Sequence, residues 1–157
     1  MWAELVEQNP KTLLGVRDSA ALRWHYRVPL QANRLAVLTA TRGDRIRAYC
    51  VLKQHDRPGG LRSMKLVDFQ TIEPDTDLLP GLLRLALRRA AAAGAVMLEH
   101  HGCGLPKMRS FDAFAPYRAT KPAWSFYYVP LDPALAGRLA EPDTWDPSEY
   151  DGDSSYK

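Results

Sequence analysis

Apolar positions recur along this chain with two different periods, and the change of period marks where strands give way to a helix. From Arg34 the runs RLAVLTAT and RIRAYCVLKQH flank a turn containing Gly43 and Asp44, which predicts an antiparallel hairpin. In the second run Ile46, Ala48, Cys50 and Leu52 share one face while Arg45, Arg47, Tyr49 and Lys53 share the other, the alternation of a sheet with one buried side. After an exposed turn, Asp56-Arg57-Pro58-Gly59-Gly60, a third strand is expected over Ser63 to Ile72. A helical period follows. Leu79, Leu82, Leu83, Ala86, Ala90 and Ala93 form one stripe, with Arg84 and Arg88 turned outward. Asp77 reads as N-cap, Pro80 fits the first turn and Gly94 fits the C′ position, so both helix ends are marked independently of the stripe. A fourth strand is expected over Val96 to His101. Strand, helix and strand with so little linker predict a right-handed crossover between parallel neighbours.

Before the hairpin lie two helical pieces, Ala3 to Gln8 and Asp18 to Tyr26, with Asp18 or Ser19 as N-cap and Pro29 closing the region. Beyond the fourth strand, Gly102 and Gly104 break the chain, Pro106 to Phe111 reads as a short helix and Trp124 to Val129 as an aromatic strand. A last short helix around Pro133 to Ala140 precedes a segment rich in Pro, Asp and Gly. These boundaries predict one domain over 1–130, its first 30 residues helical, followed by a C-terminal helix and tail over 131–157. A chain of 157 residues can bury a core without metal or disulfide support. The fold class is α/β, more closely α+β: a mixed, mostly antiparallel sheet with a β-α-β crossover and helices on both faces.

Composition narrows the functional classes. With 46% hydrophobic and 25% charged residues the chain reads as an ordinary globular protein, and its net charge of +3 rests on arginines scattered over every segment. No basic stripe of the kind that tracks a nucleic-acid backbone emerges, so no nucleic-acid partner is expected. Cys50 and Cys103 are far apart and form no disulfide framework or zinc knuckle, which points to reduced thiols in a cytoplasm. The start MWAELVEQNP carries acidic residues and no long apolar run, and no segment reads as a signal peptide or a membrane insertion.

The order hairpin, third strand, long helix, fourth strand, short helix, aromatic strand, over Asp18 to Val129, resembles the GNAT acyltransferase superfamily. The particular likenesses are RDSAALRWHYRVPL, the hairpin with Gly43, the helix ending in Ala93-Gly94-Ala95, and the closing WSFYYV. RDSAALRWHY and WDPSEYDGDSSYK are further similar to GNAT-like proteins linked to bacterial cell-surface polysaccharide and envelope synthesis. The resemblance implies that acetyl-CoA or another acyl-CoA lies where Met64 to Ile72 and Val96 to His101 splay apart. It places Gln70, Thr71, Ile72 and Leu79 at the cofactor-binding positions. It implies transfer of an acyl group to an amine or hydroxyl of a small-molecule or saccharide acceptor. Two departures from the family pattern stand out. Asp77, Leu78 and Leu79 occupy the place of the glycine loop whose amides hold the pyrophosphate, beside the carboxylates of Glu73 and Asp75. Phe111 stands where many members carry a tyrosine acid.

Candidate chemistry follows from residue type and position. Asp68 interrupts an apolar strand on the face of Met64 and Leu66, where it is either a general base of raised pKa or a carboxylate paired with an arginine or a backbone amide. His100 is the alternative base; it and His101 must face opposite ways, and with Glu99 they diverge too far to hold a metal. Tyr128, with Tyr117 and Tyr127 beside it as candidates, takes the acid role in place of Phe111. Cys103 between two glycines reads as a turn residue, or as an exposed nucleophile if a base stands near it. Trp24, Tyr26, Trp124, Phe126 and Tyr128 either line a cleft or fill the core. The competing functional reading is a non-catalytic module of the same fold, acting as a homodimer or beside a tandem partner domain that completes its sheet. A third, a Fem-type transferase using aminoacyl-tRNA, needs a basic face that these arginines do not supply.

Overall fold

The computed structural model describes residues 1–73, 77–103, 105–114 and 127–152. The alternating runs form a hairpin of β1 (Leu35–Arg42) and β2 (Arg45–Asp56), turned at Gly43, whose φ of 63° is left-handed and free of Cβ strain only for glycine. β2 pairs next with β3 (Arg62–Thr71), again antiparallel, and β3 pairs with β4 (Met97–His100) in parallel. The result is a four-stranded mixed sheet in the order β1-β2-β3-β4. The helix α4 (Leu78–Ala92) makes the crossover. Its stripe Leu79, Leu82, Leu83, Ala86 and Ala90 is buried as the period requires, against Ala48, Cys50, Leu52, Met64, Leu66 and Phe69 of the sheet. Gly94 closes the helix with φ 73°. Asp77 stands at the N-cap, but its side chain makes no capping hydrogen bond.

On the opposite face lie α1 (Trp2–Gln8), α2 (Ser19–His25) and α3 (Arg27–Gln31). Asp18 caps α2 by accepting from the Ala21 N–H at 2.8 Å. Pro29 does not end this region: it sits in the first turn of α3, where its missing N–H has no intrahelical partner to lose. Residues 105–114 form α5 (Leu105–Met108) and a 3-10 turn (Arg109–Phe114), and a 3-10 turn (Pro133–Leu135) leads into α6 (Ala136–Leu139). Of the expected aromatic strand, 124–126 lie outside the described residues, and Tyr127 to Val129 run as exposed irregular chain.

The largest departure from simple alternation concerns the second face of the sheet. Tyr49 and Lys53, expected on a solvated side, are 9% and 7% exposed, and Val51 between them is 2% exposed. A second core of Tyr26, Tyr49, Val51 and Val67, joined by Met1, Leu22, Leu35 and Tyr150, covers them. The C-terminal segment therefore packs as part of the body: Trp145 bridges to Leu13, and Tyr150 lies in this second core. No helix among the described residues is long and apolar enough to cross a membrane.

Leu83 is 2% exposed at the centre of the α4 contact. Leu83→Ala is expected to lower unfolding free energy by roughly 2–5 kcal/mol, read from urea denaturation, with secondary structure retained.

Candidate functional site

One extra residue in β3 decides which way its chemistry faces. Val51 stands opposite Asp68 and Leu52 opposite Leu66, so Val67 is a β-bulge. The bulge carries Asp68 off the face of Met64 and Leu66, where alternation had put it, and onto the face of Tyr49 and Val51. There Asp68 is fully buried and accepts from three side chains. Arg17 Nε lies 3.1 Å from each carboxylate oxygen, the Tyr49 hydroxyl donates at 2.6 Å and the Ser148 hydroxyl at 3.0 Å. Of the two roles open to this carboxylate, the geometry supplies the arginine pair directly. A substrate proton reaches it only if Ser148 or Tyr49 moves aside.

Arg17 is the hub of this cluster. Its Nη1 donates to the Gly15 carbonyl at 2.8 Å, and its Nη2 to Ser148 Oγ at 3.1 Å and Asp151 Oδ2 at 2.6 Å. The guanidinium carbon lies 4.7 Å from the centre of the Tyr150 ring. Burial opposes the charge of Arg17, but Asp68 and Asp151 overcome that and hold its pKa above the ordinary value. Burial, and then the charge of Asp68, raise the pKa of Tyr49, which keeps its proton in place as a donor. A Cβ at Gly15 would lie 2.3 Å from Asp151 Oδ1, so a larger residue there would make that carboxylate shift.

The C-terminal segment runs against β3 and answers it residue by residue. Asp146 meets Gln70 at 3.1 Å, Ser148 meets Asp68, and Glu149 meets Lys65 at 3.1 Å. His101 Nδ1 lies 3.1 Å from the other oxygen of Glu149. Lys53, opposite Lys65 in the register, has its pKa lowered by burial and then by Lys65.

Parallel pairing of β3 and β4 covers only Ser63–Leu66 and Met97–His100, while β3 runs on to Thr71. β4 ends at His100, so β3 beyond Leu66 has no parallel neighbour among the described residues and borders a notch. In the notch that follows, Lys107 donates to the Phe69 carbonyl at 3.2 Å and Gln70 Oε1 at 2.8 Å, and pairs with Asp146. His100 turns opposite to His101: its ring stacks on Phe111 at 4.7 Å and meets Phe69 edge-on at 5.4 Å. Both its ring nitrogens are buried with no hydrogen-bond partner among the described residues. Burial pushes the His100 pKa down to about 4. Phe111, at the position implied for the family's acid, serves as the platform for this ring.

The other predicted residues are already engaged. Ile72 donates its N–H to the Arg47 carbonyl at 2.9 Å, Thr71 Oγ1 bonds the backbone of Glu73, and Leu79 fills the core. Tyr128 stands 5.2 Å from the Trp145 ring, and Trp24 is exposed while Tyr26 is core. Cys103 is half-buried against the apolar core and burial raises its thiol to about 12, so it is no exposed nucleophile. The acidic junction is partly neutralised: Glu73 accepts from Arg47 at 2.9 Å and lies near Arg42, while Asp75 falls outside the described residues. No group of three metal-ligating side chains converges among the described residues.

The order of elements and the mixed sheet are shared with solved acetyltransferase structures of low sequence identity. The fold is GNAT-like. An aminoglycoside acetyltransferase from an uncultured soil metagenomic sample, in complex with trehalose, superposes with TM-score 0.60 at 12% identity, covering 81% of this chain and 86% of its own. A predicted acetyltransferase from Clostridium acetobutylicum, with acetyl-CoA, gives 0.59 at 13%, covering 81% and 89%. An acetyltransferase from Trypanosoma brucei gives 0.59 at 11%, covering 81% and 92%. No protein-family model matches the sequence, and no curated protein is significantly similar to it.

Sequence reasoning missed Arg17, Lys107 and the answering set Asp146, Ser148, Glu149 and Asp151 of this GNAT-like body. The signal was slight: a single arginine between Val16 and the helix cap Asp18, and a charged segment that reads as solvated.

Arg17→Met leaves Asp68 and Asp151 without their cation and is expected to cost roughly 3–5 kcal/mol in urea denaturation, far more than a surface arginine. His100 supplies the pH prediction. Its folded pKa of about 4 lies below the ordinary 6.5. The stability it contributes is therefore complete above pH 6.5 and lost as pH falls toward 4, where the unfolded chain takes up the proton first. His100→Leu should flatten the dependence of the urea midpoint on pH across that interval.

Proposed function

We propose that this chain is a divergent acyl-CoA-dependent N- or O-acyltransferase working at the notch where β3 outruns β4. The observation that carries this reading is the end of the parallel pairing at Leu66 and His100 while β3 continues to Thr71 toward the start of α4, whose Asp77 side chain caps nothing. An acyl thioester in the notch would present its carbonyl to an acceptor amine or hydroxyl; the acceptor adds, the thiolate leaves, and one proton passes from acceptor to thiol. His100 suits the base role by place, being unprotonated at neutral pH with unpartnered nitrogens, though its low pKa gives the transfer little driving force. Asp68 is the reserve base and Tyr128 the acid candidate. Gln70, Thr71, Ile72 and Leu79 flank the proposed cofactor path, with the amides at the start of α4 facing the pyrophosphate. The acceptor we favour is a saccharide or similar small molecule, in line with the similarity to envelope-polysaccharide proteins and with the trehalose held by the metagenomic acetyltransferase. Such chemistry suits a cytoplasmic setting with reduced Cys50 and Cys103.

A second reading, a non-catalytic module acting through a second copy or a tandem domain, is favoured by one observation: Lys107 and Asp146 fill the notch from within. Titration calorimetry with acetyl-CoA and longer acyl-CoAs separates the two. Micromolar binding, tightened by Lys107→Ala, is expected for the enzyme; absence of heat with every acyl-CoA overturns it, and a monomer in light scattering counts against the module.

A further inference from the structure

We propose that the face of β3 opposite α4 is a binding site for a small polyanion, and that the chain's own C-terminal segment occupies this site as a resident competitor. The claim goes beyond acyl transfer and does not depend on it. Along β3 stand Lys65, then Arg17 over Asp68, then Lys107 over Gln70, with side chains 11%, 0% and 16% exposed. Each holds one carboxylate of the segment: Lys65 holds Glu149 at 3.1 Å, Arg17 holds Asp151 at 2.6 Å, and Lys107 holds Asp146. His101 adds a second contact to Glu149. Without these carboxylates, Lys65, Arg17 and Lys107, with Lys53 opposite Lys65, would be left with the single charge of Asp68. Whatever displaces the segment must therefore bring comparable negative charge.

The polar contacts of the segment suit exchange. Asp146, Ser148 and Glu149 meet β3, and Asp151 meets Arg17, through side chains whose oxygens a ligand can replace group by group, while Tyr150 in the second core and Trp145 at Leu13 anchor the chain on either side. These cations are largely buried and follow one strand, so the site suits a small molecule with two or three spaced anionic groups, not a nucleic-acid backbone. Carboxylate and phosphate ligands share this chemistry. One end of the site is the notch itself, since Lys107 also bonds the Phe69 carbonyl.

The test uses the full chain, with tricarballylate and tripolyphosphate as probes at matched ionic strength, by titration calorimetry. At least one probe is expected to bind, about tenfold tighter in Glu149→Gln, whose competitor is weakened, and about tenfold weaker in Lys65→Gln. The probe that binds separates carboxylate from phosphate recognition. Hydrogen exchange on the wild-type chain should show faster exchange of amides in residues 146–152 when the probe is bound. Should Glu149→Gln fail to fold, Asp146→Asn at the rim, its side chain 12% exposed, takes its place. Failure of both probes to bind wild type and the segment variant overturns the proposal. So does binding that Lys65→Gln leaves unchanged, or binding that slows exchange in the segment.

Discussion

A full negative charge buried under a β-sheet has to be answered, and in this protein the answer organises the chain. Asp68 has no exposed surface, so the folded state exists only if donors reach it from elsewhere. They come from three regions remote in sequence: Arg17 ahead of the helical entry, Tyr49 on the neighbouring strand and Ser148 near the far end. The pair is not an efficient source of stability, because desolvation offsets most of its attraction. Its effect is on uniqueness: few other arrangements of these segments leave no buried charge alone.

The two faces of the sheet consequently obey different physics. Against α4, packing is by shape and apolar area, with alanines letting the helix lie close. The other face combines a small aromatic and aliphatic core with a line of ion pairs ending at the notch. Packing tolerates substitution of like volume, whereas the ion pairs demand that each charge keep its partner. The buried charges are concentrated on the second face and beside the end of β4.

The first face was legible in the sequence and the second was not. The hairpin, the crossover and both ends of α4 were readable because period, cap and glycine signals agree within a few residues. Asp68 was visible as a polar interruption, but its direction was not, since the bulge at Val67 leaves no local mark and a single inserted residue reverses every side chain after it. Arg17 and Glu149 were invisible for a different reason. Their burial is a product of long-range pairing, and a charged residue in a loop or tail looks the same whether it meets solvent or a counter-charge. The family likeness came from element order, which survives when the motif residues at the helix start do not.

The separation of Arg17, Asp68 and Ser148 along the chain also bears on synthesis. As the polypeptide emerges from its N-terminus, the hairpin, β3 and α4 can close their apolar face well before residues near 150 exist. During that interval Lys65 and Arg17 stand on the open side of the sheet without Glu149 and Asp151. The nascent domain is then structurally half-finished yet electrostatically exposed, an intermediate with one dry face and one charged one. Closure by the later segment pairs those cations, so the charged face of the sheet is finished only once residues 146–151 have joined it.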